Sequence, residues 1–230
     1  MCQREFSPAA SLCDVAQAEW DGVTLRTTYK DDYQAKRDEF ADLARDGRWP
    51  EVLEWLGRWP SFVNAWRPGG ASWYTVVHQA AWHGASESVV RSLLAYRPWL
   101  TLRTADGDRP LDIALRNGHP HLAALLTPVI NTPVPTDLLA AIQKHFHEVI
   151  RGRVAHLVDG DRLRLPELDV LTELEKPEMW FTVPGMYGGF GCVLDGQVLE
   201  VKSWIRVVGG SGERHRITAG GAVLTERGFV

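Results

Sequence analysis

The chain reads as an α+β protein: a short stack of helical hairpins, then a small antiparallel β-meander with one packing helix. Three observations predict this. Two central segments repeat each other 34 positions apart, apolar residues keep a helical period to about residue 150, and beyond residue 160 the period shortens to two. With 230 residues there is room for one large domain or two small ones.

The repeat is carried by Thr75-Val76-Val77-His78-Gln79-Ala80-Ala81-Trp82-His83-Gly84 and Arg109-Pro110-Leu111-Asp112-Ile113-Ala114-Leu115-Arg116-Asn117-Gly118-His119. His78 aligns with Asp112, Ala81 with Leu115 and Gly84 with Gly118. Thr75 is placed to cap a first helix that Gly84 ends, and Val89 to Leu94 forms a second that Pro98 stops. The next unit opens on the turn dipeptide Asp106-Gly107 and closes before Pro128. Asp38 to Asn64 reads as an earlier, degenerate copy: Phe40, Leu43 and Ala44 precede Gly47, and Pro50 suits the first turn of a helix through Leu56.

These residues resemble the ankyrin repeat family, whose motif runs Thr-Pro-Leu-His-x-Ala-Ala-x-x-Gly-His. The resemblance covers roughly residues 38 to 128, and three departures stand out. Val76 replaces the proline, Leu115 replaces the second alanine, and Trp73 sits where a turn glycine is usual, which puts that turn in doubt. The resemblance implies a partner-holding surface built from turn tips and first-helix positions. On this chain those positions are Trp73, Gln79, Trp82 and His83, then Asp108, Leu115, Arg116 and Asn117. Trp82 either anchors a partner or fills space against a neighbouring element. His78 matches the motif histidine, whose usual role is to hydrogen-bond adjoining turns.

The implied organisation is an N-terminal cap over 1–37, repeats over 38–128, a proline-rich linker over 129–136 and a C-terminal domain over 137–230. Three units are about the minimum for a stable stack, so its ends need covers, one expected around Trp20 to Tyr33. Eight of the ten tryptophans fall between Trp20 and Trp99 and are expected mainly to seal a small core.

Leu138, Leu139, Ile142, Phe146, Val149 and Ile150 predict a helix over Asp137 to Ile150. His145 and His147 point about 200° apart on such a helix and cannot share a metal. Gly189 to Leu194 and Val198 to Val208 read as strands joined by Asp195-Gly196, a strong hairpin signal. Leu199, Val201, Ser203, Ile205 and Val207 then share a buried face, with Glu200, Lys202, Trp204 and Arg206 on a wet one. Trp180 to Val183, Arg214 to Thr218 and Ala222 to Glu226 add further strands. Gly209-Gly210-Ser211-Gly212 precedes strand-like residues rather than a helix, so a hairpin loop is expected there instead of a phosphate cradle. Met179 to Phe190, extending through Trp204 to Phe229-Val230, is similar to a segment of small bacterial proteins, some with ankyrin repeats. No functional residue carries over from that likeness.

Composition narrows the function classes. The net charge of −4 divides as about −2 on each side of residue 130, so neither half has the basic excess of a general nucleic-acid binder. No apolar run reaches the roughly 18 residues of a membrane span, the start at Met1 to Phe6 lacks a signal-peptide core, and three scattered cysteines (Cys2, Cys13, Cys192) fit a reducing cytoplasm. The expectation is a cytoplasmic, non-catalytic protein-binding module, without cofactor or metal, whose partner is another protein: a regulator, inhibitor or immunity-type protein. The alternative is an enzyme or small-ligand binder whose site joins Tyr187, Trp204, Arg206 and His215 on the sheet's wet face. A weaker option is nucleic-acid binding through Arg151, Arg153, Arg162 and Arg164.

Overall fold

The computed structural model describes residues 18–206 and 210–228. Cys2 and Cys13, the chain start, Val207 to Gly209 and Phe229-Val230 lie outside the described residues, as do residues 1–17 of the expected N-terminal cap. The architecture is α+β: helices in the first two thirds, then a meander of strands.

Six main helices form three hairpins: α1 (Asp31–Arg45) with α2 (Trp49–Arg58), α3 (Val76–His83) with α4 (Glu87–Leu94), and α5 (Pro110–Arg116) with α6 (Ala123–Leu126). The first helices pack side by side, α3 between α1 and α5, and the second helices form the outer row α2, α4, α6. Small residues permit this spacing, because Ala80, Ala81 and Ala114 are fully buried where helices meet. Gly47, Gly84 and Gly118 close the first helix of each hairpin at φ of +68°, +59° and +77°, conformations in which a side chain is strained. One core seals the stack, from Phe40 and Leu56 through Val90 and Leu93 to Ile113 and Leu126.

His78 holds consecutive hairpins together. Its Nδ1 accepts from the Thr75 amide at 3.2 Å, and its Nε2 lies 3.1 Å from the Leu102 carbonyl oxygen in the next turn. Burial pushes its pKa down to about 3, so the ring is neutral and serves structure. Trp73 takes φ +57° at the glycine-like position, so the turn forms despite the bulky residue.

The sheet runs in the order β1 (Ala18–Trp20), β2 (Glu178–Val183), β3 (Gly188–Asp195), β4 (Val198–Ile205), β5 (Ser211–Thr218), β6 (Gly221–Gly228). Strands β2 to β6 form an antiparallel meander, with Leu194 opposite Leu199 around the expected Asp195-Gly196 turn. The helix α7 (Thr136–Gly160) runs ten residues beyond its expected end, through a kink at Val154, and packs on β5 and β6. Its buried stripe of Leu139, Ile142, Phe146 and Ile150 meets Phe181, Phe190, Leu199, Val201 and Ile217. Ser211 and Gly212, expected in a loop, already belong to β5.

One pairing departs from the expected division into cap, repeats and C-terminal domain. Strand β1 lies parallel to β2, Trp20 opposite Phe181, so the segment around Trp20 completes the sheet rather than only covering the stack. The helical hairpins are therefore inserted between two adjacent strands. Periodicity over three residues gave no signal for β1, because its partner lies some 160 positions away.

The two parts are sewn together by polar contacts. Glu173, in the short helix α8 (Asp169–Glu173), accepts from the amides of Leu100 and Thr101 at 3.0 and 3.1 Å. Asp169 pairs with Arg109 at 2.6 Å. The proline-rich segment is pinned as well, with the amides of Asn131 and Thr132 donating to the Thr172 carbonyl.

Candidate functional site

The first helices α3 and α5 present an apolar patch to solvent. Trp82 is 50% exposed and Leu115 51% exposed, although each lies one position from a fully buried alanine. A helical period explains this, since Ala81 and Ala114 face the neighbouring hairpin and their successors rotate outward. The Trp82 ring is fixed from one side by Tyr74, edge-on with centroids 6.3 Å apart. The Asn117 side-chain amide donates to the Trp82 carbonyl at 3.4 Å and ties α5 to α3. Arg116 pairs with Asp108 at 2.7 Å, and the nearby Tyr74 hydroxyl has its pKa raised mainly by burial. Trp82, Leu115, Arg116, Asn117 and Asp108 are thus brought to one surface. Tyr74 belongs with them and was missed, because no family position marks it.

The remaining expected positions go elsewhere. Trp73 is half-buried, its ring 4.7 Å from the Arg164 guanidinium, and joins the stack to the sheet. His83 bonds the Arg45 carbonyl through Nε2 at 2.7 Å and lies edge-on to Trp49, locking α3 to α1. Gln79 lines a small cleft of about 120 Å³ between α1 and α3 with Phe40, Ala44 and Trp73. Trp73 and Gln79 are half-buried within the scaffold, whereas His83 remains exposed while it ties α3 to α1.

The alternative site on the sheet is not assembled as expected. Trp204 and Arg206 lie on the wet face, the guanidinium 5.9 Å from the indole centroid, and the Arg206 amide donates to the carbonyl of Tyr187. Tyr187 is 75% exposed in the β2–β3 turn. His215 is opposite Val201 and so occupies the buried face, away from Trp204. The error lies in register: alternation fixes the faces of one strand, not which face of the next strand meets the core. Trp180, 6.3 Å from Trp204, is the neighbour that reading missed; the two lie on either side of Gly189, which pairs with Trp204 and where a Cβ would collide with the Trp180 ring. Glu200, by contrast, leans on Arg216 at 3.7 Å.

The four arginines offered for nucleic acid do not form a patch. Arg164 is buried against Glu167, Arg153 is buried against Glu213, and Arg151 and Arg162 are exposed. His145 bonds Glu148, and His147 bonds the Pro166 carbonyl, each at under 3 Å from its partner atom. Among the described residues no group of three His, Cys, Asp or Glu is gathered at a metal-binding distance, and no helix is long and apolar enough to cross a membrane. Cys192 is buried beneath the sheet, which pushes its thiol pKa up to about 12.

Compared with known proteins, the chain matches no family model and no curated sequence.

Proposed function

We propose that this protein is a non-catalytic binding module of the ankyrin type, a cytoplasmic regulator, inhibitor or immunity-type protein that holds another protein. The observation that carries the reading is the pair of half-exposed apolar residues, Trp82 and Leu115, on neighbouring first helices of a 34-residue repeat. A rigid tryptophan beside an aliphatic residue, rimmed by Arg116, Asp108 and Asn117, has the make-up of an interface centre with a polar rim. The test uses the tagged full chain as bait in lysate of its native host, beside a Trp82→Ser/Leu115→Ser double variant. A partner retained by the parent and lost by the variant supports the proposal. Equal capture by both chains, with the variant's stability within about 0.5 kcal/mol of the parent, overturns it.

A second reading places a small ligand on the wet face of the sheet at Tyr187, Trp204 and Arg206. It is favoured by the Trp180–Trp204 pair, a ready stacking surface beside a guanidinium. Saturable quenching of tryptophan emission by a ring-bearing ligand, abolished in Trp204→Ala, is the result it requires.

A further inference from the structure

A cavity of about 380 Å³ opens where the helical stack meets the β1 edge of the sheet. Five stretches of chain wall it: Trp20 comes from β1, Tyr33 from α1, Trp66 and Trp99 from the segments after α2 and α4, and Thr182 from β2. Trp20 stands 5.8 Å from Trp66 and 6.0 Å from Trp99, centroid to centroid, so three indoles make a rigid floor. Trp20 and Trp66 are almost wholly buried, while Trp99 and Tyr33 keep 8% and 38% of their surface exposed. Asn64 fixes Trp99 there, its side-chain oxygen accepting from the Trp99 amide at 2.8 Å. Small-molecule sites have this make-up: roughly 300–1,000 Å³, mainly apolar and aromatic walls, and a few polar groups that set orientation.

The charged groups of the lining are two carboxylates and one guanidinium: Glu19, Asp21 and Arg37. Arg37 is already engaged. Its side chain is 2% exposed, Nη1 donates to Asp21 at 2.5 Å and to the Tyr29 hydroxyl at 3.2 Å, and Nη2 donates to the Trp66 carbonyl. Its Nε is sealed from solvent, so an entering anion meets no free guanidinium N–H. Asp21 is engaged in turn by Arg37 and the Tyr29 hydroxyl. Glu19 differs. It is exposed at the rim, and its Oε1 accepts from the Thr182 hydroxyl at 3.1 Å, which the Trp180 indole N–H holds in place at 2.8 Å. Its Oε2 has no hydrogen-bond partner among the described residues. The cavity therefore carries one uncompensated negative charge at the edge of an aromatic floor.

We propose that this cavity binds a small organic cation, an amine attached to a flat apolar ring, with the ammonium on Glu19 and the ring against Tyr33 and Trp99. The aromatic walls supply apolar contact, and a charge-assisted bond to the carboxylate sets the orientation. A neutral molecule of the same shape gains only the first of these, and an anion is repelled by Glu19. The site shares no residue with the Trp82–Leu115 patch or with Tyr187, Trp204 and Arg206, so it stands or falls independently of both readings above.

Phenethylamine is the probe, with phenylacetate as its anionic counterpart. The full chain is titrated with each by calorimetry at neutral pH, where the amine is protonated. Saturable binding of the amine, and none of phenylacetate, is expected. Glu19→Gln keeps the side chain's size and its acceptor for Thr182, so it folds as the parent does and weakens the amine at least about tenfold, the loss of one charged acceptor. Ser61→Trp sets a bulky ring at an exposed position of the rim and blocks entry without changing charge. Trp204→Ala lies outside the cavity and leaves the affinity unchanged. The proposal is overturned by no saturable binding of the amine, by equal binding of phenylacetate, by parental affinity in Glu19→Gln or Ser61→Trp, or by a loss confined to Trp204→Ala.

Discussion

Arg164 lies with its guanidinium carbon 4.6 Å from the centre of the Trp66 ring, joining a residue after α7 to one in the helical stack. Trp20 and Trp73 stand at 5.2 and 4.7 Å from the same cation, and Trp20 returns a bond from its indole N–H to the Arg164 carbonyl at 2.7 Å. The side chain is only 3% exposed and pairs with Glu167 at 2.5 Å. One buried cation thus gathers an aromatic ring from β1, two from the hairpin stack and a carboxylate beside α8. Desolvation lowers its pKa, with Glu167 opposing, and the three ring faces offset part of that cost.

Arg164→Ala is therefore expected to destabilise the protein by about 3–5 kcal/mol, because Glu167 loses its buried partner and three indoles lose their packing. Urea unfolding followed by tryptophan emission and by far-ultraviolet circular dichroism checks this. Coincident transitions are expected, since Arg164 couples stack to sheet. A loss below about 1 kcal/mol would show that the ring cluster holds without its cation.

Acid should weaken the fold through His78. Its folded pKa is about 3, well below the ordinary value near 6.5, so the unfolded chain takes up a proton that the folded chain refuses. The contribution is complete above about pH 6.5 and is lost on acidification toward pH 3, at up to about 1.4 kcal/mol per pH unit. His147 and His215 are lowered too, mainly by burial, and act in the same direction. His78→Gln should be less stable than the parent at pH 7 and show a shallower fall between pH 6.5 and 5. Parallel pH profiles for the two chains would contradict this assignment.

Gly84 and Gly118 occupy equivalent places but should not tolerate alanine equally. Both have positive φ, which costs an alanine on the order of 1 kcal/mol. At Gly118 an added Cβ meets nothing within 4 Å, whereas at Gly84 it would run into the His119 ring. Gly84→Ala should accordingly lower the urea midpoint more than Gly118→Ala. Equal losses would mean that the imidazole moves aside freely.

The helical stack expressed alone, over residues 34–128, should be marginal or aggregation-prone. Trp66, Trp99 and Leu102 bury their side chains in the core shared with the sheet, and Trp99 stacks on Trp20 at 6.0 Å. Removing the sheet uncovers that surface. A cooperative melt of the fragment at the temperature of the full chain would refute this dependence.

Where local spacing governs, the sequence was a good guide. The repeat from Thr75 to His119 announced hairpins, and their glycines fell where left-handed caps form. The alternation around Trp204 correctly separated Val201 and Ser203 from Glu200 and Lys202. Leu115, Arg116, Asn117 and Asp108 were named from motif positions and do share a surface with Trp82. Trp73 and His83 were not distinguishable from them, because what claims each side chain, Arg164 or the Arg45 carbonyl, lies 91 or 38 positions away.

By itself, then, the order of residues determined the element types, the caps and the inner and outer faces of single helices and strands, since these depend on neighbours within one or two turns. Only the tertiary structure decided that β1 closes the sheet beside β2, that His215 lies with Arg153 under α7, and that Arg164 is enclosed by indoles. Those outcomes are settled by which distant surfaces exclude water together, and no local period encodes that.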